Sequence, residues 1–164
     1  MAIIAVRIDG RLIHGQVANL WTTKLGASRI MVIDNEVAHS DIEKTGLKIA
    51  RPAGVDLSVL DEKTAADHIK RGGYTTQKVF IVVKRPQILL DLVNDGVELK
   101  TINVGNMSQT DETTSLTNSI NVVQADVDAF KALHEKGIEI TQQMVPGDNA
   151  NDFMGILRKF KPKK

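Results

Sequence analysis

The stretch "AIIAVRIDGRLIHGQVANLW" (residues 2–21) joins three pieces whose reading decides the fold. Residues 2–8 form a short apolar run rich in β-branched side chains, the pattern of a strand buried on both faces. Residues 10–15 form a loop bounded by Gly10 and Gly15. Beyond it, Val17, Leu20, Trp21 and Leu25 fall at the i, i+3, i+4, i+8 spacing of an amphipathic helix, and Gly26 supplies its stop. Strand, glycine-bounded loop and helix together are the repeating unit of a doubly wound α/β sheet.

The same alternation continues along the chain. Further apolar runs lie at "RIMVID" (29–34), "DLSVLD" (56–61), "KVFIVV" (78–83), "TINVG" (101–105) and "IEITQQMV" (138–145). Helical patterns separate them. In "DEKTAADHIKRGG" (61–73) acidic residues open the helix and basic ones close it, which complements the helix dipole. "RPQILLDLVNDG" (85–96) has Pro86 near its start and Gly96 past its end. "DVDAFKALHEKG" (126–137) sets Val127, Phe130 and Leu133 near one face and stops at Gly137. The prediction is an open, doubly wound, mainly parallel sheet with helices on both faces, residues 1–164 forming one domain. The polar segment 106–123 breaks the alternation and is long for a loop, a length that is often functional. Within it "SINVV" (119–123) is expected as a short antiparallel strand.

Composition narrows the function classes. The formal net charge is +1, so no basic footprint points to nucleic acid. The chain has no cysteine, which removes disulfide scaffolds, thiolate metal sites and thiol chemistry. No apolar run is long enough to span a bilayer, and "MAIIAVRIDG" lacks the basic start and cleavage site of a signal peptide, so a cytoplasmic location is expected. The tail "KFKPKK" (159–164) is expected to fray; contact of its lysines with anionic lipid is the less favoured reading.

The loop after the first strand holds the candidate chemistry, because ligands of open α/β sheets bind outside the carboxyl ends of the strands. Gly10 and Gly15 have the spacing of G-x-x-x-x-G-K-[ST], but Gln16 and Val17 stand where a nucleotide loop needs Lys and Ser/Thr. The triphosphate clamp and the magnesium ligand are therefore missing, and no G-x-G-x-x-G occurs. What remains is Arg11, His14 and a helix start. The helix amides attract phosphate, Arg11 adds a permanent planar cation, and the neutral imidazole of His14 is a nucleophile at pH 7. Asp9 either holds Arg11 or fixes the tautomer of His14. The bland alternative is that His14 only orders the loop. His39, His68 and His134 show no metal-ligand spacing and read as surface residues, and Trp21 reads as packing.

"RIDGRLIHGQV" (7–17) resembles the signature of the IIB subunits of the mannose/fructose/sorbose family of the bacterial sugar phosphotransferase system. The similarity continues through "VIDNEVAHSD", "ARPAGVDLSVL", "VFIVVKRP" and "INVGNMS" and covers essentially the whole chain. The resemblance implies a phosphohistidine–sugar phosphotransferase that accepts a phosphoryl group from a IIA protein and passes it to a sugar arriving through membrane IIC and IID subunits. It implies phosphorylation of His14, on Nδ1, with Arg11 as the essential loop arginine and Asp9 as the acidic residue before it. It calls for no cofactor and no metal, and leaves self-association and the identity of the sugar open. Gly15 and Gln16 would meet the phosphate at the helix start. Family members commonly carry "GGM" followed by His in the later loop; here the residues are Gly105, Asn106, Met107 and Ser108, so Asn106 and Ser108 would serve as hydrogen-bond donors. The competing readings are a non-catalytic phosphate- or nucleotide-binding module and a regulatory domain that senses phosphorylation.

Overall fold

The computed structural model describes residues 2–74 and 76–162; Lys163 and Lys164 of the basic tail lie outside the described residues. In chain order the elements begin with β1 (Ala2–Asp9), α1 (Gly15–Leu25), β2 (Arg29–Ile33), a 3-10 turn (Val37–His39), α2 (Asp41–Ala50) and β3 (Asp56–Leu60). They continue with α3 (Glu62–Lys70), β4 (Lys78–Val83), α4 (Pro86–Asn94), β5 (Thr101–Asn106), β6 (Thr114–Ser115) and β7 (Asn121–Val122). The chain closes with α5 (Gln124–Glu135), β8 (Glu139–Gln142), β9 (Asn151–Asp152) and α6 (Phe153–Leu157). Seven strands form one sheet in the order β3-β2-β4-β1-β5-β8-β9, parallel except for the final β8–β9 pair.

Topology places the helices. Connections that step toward β3 carry α1 and α2, whose Ala18, Trp21 and Leu47 pack on Ile30, Val32, Phe80 and Val82. Connections that step toward β8 carry α3, α4 and α5, whose Ala65, Leu89 and Phe130 pack on Ile8, Met31 and Val104. A single hand of crossover sends the two directions of travel to opposite faces. The inner strands are buried on both faces, so their apolar runs are continuous. β1 and β5 are neighbours, with Asp9 in register with Asn106. The chain leaves them in opposite directions, so a crevice opens outside their carboxyl ends.

Two expectations change. The antiparallel strand of the main sheet is β9, and residues 121–122 pair with β6 in a separate two-stranded ribbon. The run 138–145 is a strand only to Gln142; beyond it the backbone turns its carbonyls toward a buried arginine. For helix α2 (Asp41–Ala50) the sequence predicts only a start near His39, because Ile42 and Ile49 face solvent and blur its apolar stripe.

Candidate active site

The loop between β1 and α1 is folded by its own residues. The Asp9 carboxylate accepts the Arg11 backbone N–H at 3.0 Å, an Asx turn that reverses the chain directly after the strand. Leu12 then takes the left-handed conformation, φ 61°, at a cost of roughly 1–2 kcal/mol. Burial of Leu12 and Ile13 against Val32 and Phe80 stabilises the loop by about 1.5–3 kcal/mol for each side chain, so the strained turn is held shut. Pinned from below, the loop presents His14, Gly15 and Gln16 to solvent.

His14 is the N-cap residue of α1, with extended backbone and no side-chain bond to the helix amides. The first turn also carries no acidic residue. By contrast, Ser40 caps α2 and Asp61 caps α3. The α1 amides and their partial positive charge are therefore left open to an anion. Among the described residues His14 makes no side-chain hydrogen bond or ion pair, so its imidazole is free.

Asp9 is buried and organises the cations. Arg11 donates to it in bidentate fashion, Nε to Oδ1 at 3.1 Å and Nη2 to Oδ2 at 3.2 Å. Arg7 reaches Oδ2 at 3.4 Å from the other side. Two guanidiniums on one carboxylate leave one positive charge in excess. Of the two roles expected for Asp9, the geometry shows the first; no hydrogen bond joins it to His14.

Arg7 is the residue that sequence reasoning missed. It is 3% exposed, donates to Asn103 Oδ1 and to the carbonyls of Gln143 and Met144 at 2.8 and 2.9 Å, and lies 5.0 Å over the Trp21 ring. Trp21 Nε1 donates to the same Met144 carbonyl at 2.9 Å, so Trp21 packs and also positions. Burial lowers the Arg7 pKa, the Asp9 carboxylate opposes that shift, and the Arg11 charge adds to it. Arg7 fits because residue 105 is glycine. A Cβ there would stand 1.9 Å from Arg7 Nη2.

The later loop meets the first one at Gly10. Gly10 N–H donates to the Asn106 carbonyl at 2.9 Å, and a Cβ on Gly10 would lie 2.6 Å from Ser108 Oγ and 3.3 Å from Asn106 Oδ1. Asn106 and Ser108 are thus brought against the loop that carries His14. The Asn106 side chain turns a buried, unpartnered Oδ1 toward Gly10, while its Nδ2 donates to no described residue. The other histidines are elsewhere: His39 faces Asp61 at 3.7 Å, His68 stacks on Tyr74, and His134 is exposed in the last turn of α5. Among the described residues no group of three or more His, Asp or Glu could hold a metal ion.

The family profile of the phosphotransferase-system sorbose-subfamily IIB components matches residues 3–164. The chain belongs to that family. It is a phosphotransferase subunit of a sugar-transporting phosphotransferase system, and this IIB chain is 34% identical over 157 residues to the sorbose-specific EIIB component of Lacticaseibacillus casei, covering 96% of each. It is 35% identical over 160 residues to the mannose-specific EIIAB component of Escherichia coli K12, covering 98% of this chain and 50% of that one. The IIB domain of the Klebsiella pneumoniae sorbose permease superposes with a TM-score of 0.93 at 28% identity, covering 98% of this chain and 99% of that domain. No helix of the described residues is long and apolar enough to cross a membrane.

Proposed function

We propose that His14 accepts a phosphoryl group from the phosphohistidine of a IIA protein and passes it to a sugar that arrives through membrane IIC and IID subunits. Residues 1–164 act as one cytoplasmic phosphocarrier, held peripherally at the membrane complex. The observation that carries this reading is a free, solvent-facing imidazole at the uncapped start of α1, beside a guanidinium locked by a buried carboxylate. An imidazole nitrogen lone pair, Nδ1 by resemblance to the family, forms the new N–P bond as the donor's N–P bond breaks. In the second step a sugar hydroxyl oxygen forms the new O–P bond as the His14 N–P bond breaks; the imidazole recovers its electron pair and the hydroxyl proton leaves to water.

The loose transition state of phosphoryl transfer calls for positioning and charge neutralisation rather than bond-making machinery. Arg11 supplies the planar cation, Asp9 fixes it, and the amides of Gly15 and Gln16 supply the helix-start donors. Asn106 and Ser108 are within the same crevice and complete the shell. These donors are set before the phosphoryl group arrives, so little reorganisation accompanies the step. The mannose-specific relative carries its IIB part in a chain named EIIAB, which supports a IIA donor for this chain. A nucleotide-binding module is disfavoured by Gln16 and Val17 at the positions of the missing Lys and Ser/Thr.

The test is single-turnover transfer from a phosphorylated IIA donor to the parent and to His14→Ala. The parent takes the label; the variant, with unchanged circular dichroism and melting, takes none. Full labelling of His14→Ala contradicts the assignment.

A further inference from the structure

A further cation reaches the Gly10 loop from the neighbouring strand. β4 runs beside β1 with Ile8 in register with Val83, so the chain leaves β1 at Asp9–Gly10 alongside Lys84. Lys84 is half-buried. Its neighbour Arg85 pairs with the buried Asp126 at 3.6 Å, but Lys84 forms no ion pair or hydrogen bond among the described residues. A buried stem with a free ammonium is an ordinary surface arrangement; the surroundings of this one are not ordinary. Lys84 lines a cavity of about 50 Å3 with Gly10, Arg85, Met107, Ser108 and Asn121. That is far below the roughly 300–1,000 Å3 of a small-molecule pocket and suits a group the size of a phosphoryl. The Ser108 hydroxyl and amide donate to no described residue, and both lie against Gly10. The cavity thus combines one unneutralised ammonium with two unused donors, at the base of the loop that carries His14.

We infer that Lys84 is a further phosphoryl-contacting residue of the transfer site, its ammonium and the Ser108 donors meeting phosphoryl oxygens that Arg11 does not. The inference rests on the His14 phosphocarrier reading above. It adds to the β1 loop a cation from β4, outside the signature motif. The rival role for Lys84 is to balance the carboxylates of Asp34, Glu36 and Glu62, which line the adjoining crevice that Lys84 also borders. None of them lies within 4.0 Å of its ammonium as an ion pair. A charge-balancing role affects folding stability and leaves the phosphoryl group untouched.

The experiment compares the parent, Lys84→Met and Lys84→Cys in single-turnover transfer from a phosphorylated IIA donor, with the label mapped to His14 in the parent. The chain has no cysteine, so Lys84→Cys introduces one thiol that 2-bromoethylamine converts to an aminoethyl side chain with the ammonium restored. Iodoacetamide gives a neutral control. The expected result is a transfer rate about tenfold lower in Lys84→Met at saturating donor, recovered by aminoethylation and not by the neutral cap. Phosphorus NMR supplies a second readout that a purely structural role does not move. A nearby ammonium favours the dianionic phosphoryl group, so the phosphoryl titration midpoint rises in Lys84→Met. A parent labelled on His14, with Lys84→Met transferring within twofold of it and titrating identically, overturns this inference alone. A parent that takes no label on His14 removes the phosphocarrier reading and this inference with it.

Discussion

Gly105→Ala is a one-methyl change whose consequence can be worked from the structure. Gly105 does not use a positive φ, so alanine meets no backbone objection there. The obstacle is Arg7, since the new Cβ would stand 1.9 Å from Nη2, 2.2 Å from Cζ and 2.6 Å from Nη1. Carbon contacts settle at about 3.5 Å, so the guanidinium must retreat by roughly 1.5 Å. A flexible arginine on a surface would simply swing aside. This one is 3% exposed and tied to Asn103, the Gln143 and Met144 carbonyls and Asp9. Retreat breaks the two carbonyl bonds, and hydrogen bonds to charged groups contribute about 1.5–3 kcal/mol each. The expected loss is about 3–5 kcal/mol, the range for disrupting a buried ionic network. At about 2–4 °C per kcal/mol for a chain of this size, melting falls by about 10 °C. Urea unfolding gives the stability. The single tryptophan, Trp21, which shares the Met144 carbonyl with Arg7 and lies beneath its guanidinium, reports the local change by fluorescence. With Arg7→Met in the background, alanine at 105 should be nearly neutral, and the cycle isolates the coupling. A loss under about 1 kcal/mol at unchanged m-value, or an equal loss with and without Arg7, refutes the reasoning.

Other outcomes follow from the same geometry. Arg11→Lys should transfer well below the parent rate, because an ammonium cannot keep the bidentate bond to Asp9 and also present a planar fork to phosphate; equal single-turnover rates contradict this. If Arg11 and the α1 amides carry the charge neutralisation as proposed, transfer from the IIA donor persists in excess chelator; a collapse restored by magnesium contradicts it. Burial, with the Asp91 carboxyl adding to it, raises the Glu62 pKa from 4.5 to about 7. Between those values the folded chain keeps a proton that the unfolded chain has lost, so this group's contribution to stability falls as pH rises through the window. Glu62→Gln should therefore gain stability on the parent between about pH 4.5 and 7, as read from urea midpoints; parallel curves contradict it.

The sheet was legible because its strands are buried on both faces and read as continuous β-branched runs, from 2–8 through 101–105. The histidine loop was legible because it follows the first such run and precedes a helix of regular period. Arg7 was not. One charged residue within an apolar strand reads as an interruption, and its partners lie as far away as Met144 in sequence. Gly105 was hidden for the same reason, since its requirement is set by the Arg7 guanidinium across the strand pair. Gly10 was read for its spacing from Gly15, whereas the structure gives its physical reason as the approach of Ser108. Only the start of helix α2, near His39, was legible, because solvent-facing Ile42 and Ile49 defeat the rule that apolar residues mark the buried face. The end of β8 was overrun because Met144 and Val145 are apolar, although the Met144 carbonyl is turned away from the ladder to receive Arg7 and Trp21.

The most direct measurement is the site of the phosphoryl group after transfer from a phosphorylated IIA donor, read by phosphorus–nitrogen correlated NMR on the isotope-labelled chain. The account predicts one phosphohistidine, on His14 and through Nδ1, with the imidazoles of His39, His68 and His134 unchanged. A phosphoryl group on any of those three, or none on His14 while the donor is consumed, contradicts it.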